Sequence, residues 1–297
     1  MQILFIASSR IGDAILCTGL LDHLIRTYPA SRITVVTGPV AEGVFARMPN
    51  RVRTIVMEKR RWGMHWLALW RRAVFTRWDL VVDIRASALA WVVPTRRRAI
   101  MRRGTGHKTS QIGAVLGLSP PPLPVAWTDA ADHAKAAALL PAGSPIIALA
   151  PTANWTGKVW PADRFVALAR ALTEGPMPGA RIAVFAGPGA FERGLAAPVL
   201  AALPHAIDLC GMLTLSEAAA CLMRATLFVG NDSGLMHLAA AAGAPTLGLF
   251  GPTSAEEYGP AGRCAVAVRA TSTAMTDLAV ADVLAATCNL VALECAA

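Results

Sequence analysis

Val229-Gly230-Asn231-Asp232-Ser233-Gly234-Leu235-Met236-His237 is where an apolar run stops in small polar residues and an apolar-periodic stretch begins at once. That change of period predicts a buried strand, a tight turn and a helix with no linker between them. At such a junction the free N–H groups of the first helical turn and the helix dipole converge on one point, and Ser233 and Gly234 let an anion come close. His237 lies on the first turn, near enough to add a donor. Two readings fit the stretch: an anion grip, or a structural cap in which Asp232 or Ser233 closes the helix start and His237 packs in the core.

The same alternation extends in both directions. Strand-like runs at 146–150, 181–186, 206–209 and 246–250 alternate with helical stretches at 162–173, 190–203, 215–223 and 235–242. Earlier, runs at 2–7, 32–37, 54–57 and 80–84 alternate with helical stretches at 14–27, 40–48 and 63–75. Regular alternation of this kind gives parallel sheets flanked by helices. A chain of 297 residues is about twice one ordinary domain, and prolines at 120–122, 124, 141 and 145 supply a break. The expectation is an α/β protein of two Rossmann-like domains, 1–142 and 143–297, facing across a substrate cleft, with ligands at the carboxyl ends of the strands.

Composition narrows the class. With 55% apolar and 16% charged residues the chain is globular rather than disordered. The longest apolar candidate, 235–250, is shorter than the roughly 20 residues a spanning helix needs and contains His237 and Pro245. The start lacks a basic segment of the secretory type, so a cytoplasmic protein is expected. Six cysteines without a C-x-x-C pair are expected to be reduced core thiols, with no metal site.

Charge is uneven. Residues 1–142 hold 20 Lys and Arg against 8 Asp and Glu, whereas 143–297 hold 8 against 11. The excess concentrates at Lys59-Arg60-Arg61, Arg71-Arg72, Arg96-Arg97-Arg98 and Arg102-Arg103, interleaved with Trp62, Trp66, Trp70 and Trp78. Such a surface suits anionic headgroups or phosphorylated glycans; no recognition helix or RNA-binding motif supports nucleic acid.

Three more loops carry candidate chemistry. Pro151-Thr152-Ala153-Asn154-Trp155-Thr156-Gly157-Lys158-Val159-Trp160-Pro161 comes after the first strand of the second half and holds the only lysine after residue 142. That lysine reads as a diphosphate counter-charge in preference to a solvated surface charge. Gly187-Pro188-Gly189-Ala190-Phe191-Glu192 begins like a dinucleotide fingerprint, but Glu192 stands where the third glycine belongs, which argues against NAD chemistry. Glu192 fits either hydrogen bonding to ribose hydroxyls or stabilisation of its own helix start. Ser9-Arg10-Ile11-Gly12-Asp13 comes after the first strand of the chain, and Asp13 there is either a helix-start acid or a catalytic carboxylate.

Taken together, Arg10-Ile11-Gly12-Asp13 with Thr18, Lys158-Val159-Trp160-Pro161, Gly230 to Leu238 and Phe250-Gly251-Pro252-Thr253 resemble glycosyltransferase family 9, the bacterial heptosyltransferases of the lipopolysaccharide inner core. The resemblance implies a GT-B fold and inverting transfer of a sugar, typically from ADP-heptose, to a lipid-linked glycan acceptor. It implies Asp13 as general base, Lys158 neutralising the departing diphosphate, and Ser233, Gly234 and His237 holding it. It further implies Asp232 on sugar hydroxyls, Glu192 on the ribose and the backbone near Leu213 on the base; Thr152 joins this donor-binding set. Arg10, Lys59, Arg60, Arg61, Arg97 and Arg98 are assigned to the acceptor or the membrane. Partners are thus a nucleotide-diphosphate sugar, a lipid-linked glycan and the inner membrane surface, with the enzyme a peripheral monomer and no cofactor. A lysine and a helix terminus here take the place of a metal, and no D-x-D motif occurs. Two competitors are a GT-B-like nucleotide-sugar epimerase or hydrolase, and a non-catalytic protein that binds anionic lipid.

Overall fold

The structure, a computed structural model, describes residues 1–58, 64–102 and 104–294. The chain divides into two compact units, Met1–Trp127 and Thr128–Ala297.

The first unit is built on β1 (Gln2–Ile6), β2 (Arg32–Thr37), β3 (Arg51–Val56), β4 (Trp78–Asp83) and β5 (Thr95–Ile100), in the order β3-β2-β1-β4-β5. All pairings are parallel. β1, β2 and β4 are nearly continuous apolar runs because helices cover both faces of the sheet. Chain order reverses between β1 and β4, so the loops leaving their carboxyl ends flank a crevice. Residues 39–45, read from sequence as part of an α-helix, form a tighter 3₁₀ turn started by Pro39. The run Arg96-Arg97-Arg98, read as a basic surface, is also a strand: β5 sits at the sheet edge, where an exposed face accepts charge. Trp78 is not a surface residue. It is buried among Leu4, Ile6, Val36 and Val81, with its indole N–H donating to the Ala73 carbonyl at 2.9 Å.

The second unit contains β6 (Ile146–Ala150), β7 (Arg181–Val184), β8 (Ile207–Asp208), β9 (Leu227–Asn231), β10 (Thr246–Phe250) and β11 (Ala265–Arg269). Their order is β11-β10-β9-β6-β7-β8, again all parallel. β6, β9 and β10 are buried along their whole length, which explains why they read as unbroken apolar runs. Here the order reverses between β6 and β9.

One expectation about boundaries changes. The helix Ala130–Leu139 belongs to the second unit, so the division falls at residue 127 instead of near 142. Asp129 and Asp132 close its start in a capping box, and Asp132 also accepts from Ser216 Oγ at 3.1 Å, pinning it to the helix Leu215–Leu222. The C-terminal helix Val280–Glu294 packs within the second unit: Val283 and Leu290 join the core of Trp160, Phe165 and Leu172. Its apolar side covers the helix Ala162–Glu174 and β11, which would otherwise face water. Among the described residues no helix is long and apolar enough to cross a membrane.

Candidate active site

β6 and β9 deliver the two decisive loops of the second unit to the point where the strand order reverses. β9 runs on through Asn231, so Asp232 and Ser233 form the whole turn before the helix Gly234–Ala241. Ser233 occupies the N-cap position, yet its side chain makes no capping hydrogen bond. Its Oγ is buried without a partner among the described residues. A buried hydroxyl left unbonded at a helix N-terminus is costly unless a ligand completes it. Asp232 is not a cap either: its Oδ2 accepts from Lys158 Nζ at 2.6 Å and from Thr253 Oγ1 at 2.8 Å. The lysine and aspartate side chains are 20% and 8% exposed, so the ion pair is largely dehydrated. His237 is buried one turn into the helix, its backbone N–H directed at the Ser233 carbonyl at 3.4 Å.

Lys158 owes its placement to a neighbour in the same loop. Trp160 is fully buried; its backbone N–H donates to Asn231 Oδ1 at 3.0 Å and its indole N–H to the Leu278 carbonyl at 2.9 Å. Its ring meets Phe165 edge-on, with centroids 5.0 Å apart. A pair of this kind adds roughly 0.5–1.5 kcal/mol to the burial of the rings. Arg164 donates to the same Leu278 carbonyl. The tail after residue 262 thus has a role that its sequence did not suggest: it anchors the lysine loop.

The third loop is tied to the first. Glu192 Oε2 accepts from the Gly187 backbone N–H at 2.7 Å and from Thr152 Oγ1 at 2.9 Å. A Cβ at Gly187 would lie 2.8 Å from the Glu192 carboxylate, so glycine there serves the loop's own closure. Glu192 therefore stabilises its helix start and also links the loops after β6 and β7. A Cβ at Gly211 would lie 3.4 Å from Pro188 Cα, so the segment ahead of Leu213, after β8, passes close to the same turn.

In the first unit, the loop after β1 carries Asp13 on the first turn of the helix Ile11–Leu16. Asp13 is partly exposed, and its contact with Ser8 Oγ is long, 3.5 Å. Arg10 caps the backbone of this helix without a side-chain bond and is exposed. The neighbouring loop, after β4, is organised by Asp83, a residue for which the sequence suggested no role. Its carboxylate is buried and accepts from Arg85 N at 2.8 Å, Ser87 N at 2.7 Å and Ser87 Oγ at 2.6 Å. Burial pushes this carboxyl above its ordinary range despite those hydrogen bonds. An acid that ends an apolar strand run was the available signal. Asn231 and Thr253 lie inside recognisable motifs, but their tasks as loop ties show only in the fold.

The basic residues scatter. Arg97 is exposed on β5, while Arg98 donates to the carbonyls of Ala90 at 2.7 Å and Val93 at 3.2 Å and so ties down the turn before its own strand. Lys59, Arg60, Arg61, Trp62 and Arg103 lie outside the described residues, as does the side chain of Trp66. Burial raises the thiol of Cys210 to about 12 and that of Cys221 to about 11, so neither is a ready nucleophile. Among the described residues no three His, Cys, Asp or Glu side chains group as metal ligands would.

Comparison with known proteins agrees with this geometry. The profile of Glycosyltransferase family 9 (heptosyltransferase) matches residues 44–286. The Lipooligosaccharide heptosyltransferase 2 of Haemophilus ducreyi is 26% identical over 313 residues, covering 91% of this chain and 88% of the relative. The Lipopolysaccharide heptosyltransferase 1 of Pseudomonas aeruginosa is 28% identical over 309 residues, covering 90% and 83%. Among solved structures, a family 9 glycosyl transferase from Veillonella parvula superposes with a TM-score of 0.82 at 22% identity, covering 99% of this chain and 97% of the other. The E. coli ADP-heptose lps heptosyltransferase II gives 0.78 at 22% identity, covering 99% of each chain. At that identity the structural likeness speaks for the fold, and the expected GT-B class of two parallel-sheet α/β units holds.

Proposed function

The chain belongs to glycosyltransferase family 9, the heptosyltransferases, and from that premise we propose that it transfers heptose from ADP-heptose to a lipid-linked inner-core acceptor of lipopolysaccharide, with inversion. The observation that carries the donor reading is the buried, unpartnered Ser233 Oγ at a helix N-terminus beside the Lys158–Asp232 pair. A diphosphate completes that hydroxyl and meets the first-turn N–H groups of Gly234 onward. Lys158 then offsets the charge that builds on the leaving diphosphate, a task for which preorganised donors are worth about 3 kcal/mol each. Both bonds to Asp232 land on Oδ2, so Oδ1 is the oxygen available to a sugar hydroxyl. Likewise Glu192 Oε1 faces the ribose, the backbone near Leu213 receives the base, and Thr152 and His237 complete the donor side.

Asp13 takes the proton from the acceptor hydroxyl. A carboxylate held, among the described residues, by a 3.5 Å contact with Ser8 alone keeps the freedom to approach its substrate within about 3 Å. Arg10 and Arg97 face the acidic acceptor. The enzyme acts as a monomer at the cytoplasmic face of the inner membrane.

The test is a thermal-shift series with ADP, UDP and GDP, followed by transfer assays. ADP is expected to raise the midpoint most, and donor incubated without acceptor is expected to release little nucleotide. Equal shifts from all three nucleotides would overturn the ADP assignment. Rapid nucleotide release or epimerised donor in the absence of acceptor would overturn transfer itself.

A further inference from the structure

Of the tryptophans that the sequence offered as a membrane surface, Trp70 and Trp78 are not among the exposed large apolar residues of the described first unit; Phe75, Trp91 and Val92 are. Phe75 is 89% exposed, Trp91 68% and Val92 56%, so most of each side chain's surface lies outside the unit's own core. They are brought together by two hydrogen bonds. Trp70 Nε1 donates to the Val92 carbonyl at 3.2 Å, and the Trp78 backbone N–H donates to the Pro94 carbonyl at 3.0 Å. Phe75 therefore projects from a short turn whose two ends are both tied to the segment that carries Trp91 and Val92.

The surroundings are basic. Arg71 and Arg72 end the helix Met64–Ala73 just before Phe75, Arg77 lies two residues beyond it, and Arg97 is exposed on the adjoining edge strand. The nearby acid Asp79 is engaged by Arg96 at 3.4 Å. Protruding aromatic and aliphatic side chains ringed by arginines match the interface of an anionic bilayer, where the rings enter the headgroup layer and the guanidinium groups meet phosphate. Nucleic acid would favour a flat stacking platform, which a projecting Phe and a Val do not make.

We propose that Phe75, Trp91 and Val92, with Arg71 and Arg72, form the membrane-docking tip of this enzyme, and that its occupant is a bilayer surface containing anionic lipid. The proposal deepens the reading of a lipid-linked acceptor and rests on it. β4 runs from Trp78, beside the tip, to Asp83, whose pairing with Ile6 puts it at the end that carries the Asp13 loop. Six residues of strand span about 20 Å. The reactive hydroxyl thus stands off from the tip by a strand's length, as it does on a glycan and not on the lipid itself.

The experiment is co-sedimentation of the full chain with phosphatidylcholine vesicles, with and without one-quarter phosphatidylglycerol, at about 50 mM and about 500 mM salt, where screening differs several-fold. Wild type is expected to bind the anionic vesicles at low salt only. Phe75→Ser with Trp91→Ser is expected to weaken that binding at least tenfold, and Arg71→Gln with Arg72→Gln roughly fivefold per arginine. Neither pair should move the unfolding midpoint or turnover of a lipid-free acceptor glycan. The proposal is overturned if wild type ignores anionic vesicles, if both variants bind them as wild type does, or if the aromatic pair merely splits a dimer. Binding of single-stranded RNA in place of vesicles would likewise overturn it. Vesicle binding by an enzyme that transfers no sugar would sink the functional reading and leave the tip standing.

Discussion

The loops at the two sheet reversals occupy equivalent places and are built in opposite ways. After β6 and β9, side chains far apart in sequence are knitted together: Lys158 to Asp232 to Thr253, Thr152 to Glu192, and Trp160 to Asn231. After β1, Asp13 keeps, among the described residues, a single long contact with Ser8, while the neighbouring Asp83 is fully consumed in holding its own loop. The contrast reflects the chemistry each place would serve. A site that stabilises developing charge works best when its dipoles are fixed in advance. A base has to meet a proton whose position is set by the incoming substrate, and tight internal hydrogen bonds would hold it back. The units differ in charge in the same sense: 1–127 carries 19 Lys and Arg against 6 Asp and Glu, and 128–297 carries 9 against 13.

That contrast is open to attack by mutation. Replacing the loosely held carboxylate, Asp13→Asn, is expected to cut kcat by about a hundredfold to ten-thousandfold while leaving the unfolding midpoint and ADP affinity as they were; a normal rate would remove Asp13 from the chemistry. Lys158→Ala strikes the knitted site and should lower kcat by about a hundredfold or more. It should also cost up to about 3 kcal/mol of stability, because it strands the Asp232 charge. If only stability falls, the pair is structural.

Ser233→Ala separates grip from cap most cleanly. With no partner among the described residues to lose, stability should change by less than about 0.5 kcal/mol, yet ADP should bind roughly tenfold more weakly because a charge-assisted hydrogen bond is gone. A loss of about 1 kcal/mol in stability with unchanged ADP affinity would restore the cap reading. Asp83→Asn should lower stability by about 1–3 kcal/mol, since one amide oxygen cannot serve three donors; circular-dichroism melts check this.

The smallest effect concerns pH. Burial raises the Asp83 carboxyl, so the folded chain holds that proton more firmly than the unfolded one. Its contribution to stability is fully present below about pH 4 and is lost as pH rises through the raised value. Glu217 behaves in the reverse sense: hydrogen bonding from the Thr214 backbone N–H, aided by Lys135, lowers it. Its contribution is present above about pH 4 and is lost as pH falls through the lowered value. Melting curves of Asp83→Asn and Glu217→Gln should therefore flatten the pH dependence on opposite sides of that point, the latter only slightly because Glu217 is near the surface. Parallel curves would contradict the assignment.

Much of this was legible in the residues. Periodicity alone located β2, β6 and β10 residue for residue, since central parallel strands must be apolar on both faces. It missed β5, an edge strand whose three arginines leave no such run. The strand–turn–helix at 229–237 and the isolated Lys158 were likewise visible, because helix starts and loop composition are local properties of the chain. Sequence by itself therefore determined the alternating α/β layout, the position of the anion-ready turn and the uneven charge. Only the tertiary structure decided that Ser233 Oγ is left unbonded, that Lys158 is partnered by a residue 74 positions away, and that the C-terminal tail fixes its loop. It also decided that Phe75, not Trp78, meets the solvent. These outcomes depend on which distant groups offset each other's desolvation, a matter of packing that no local pattern encodes.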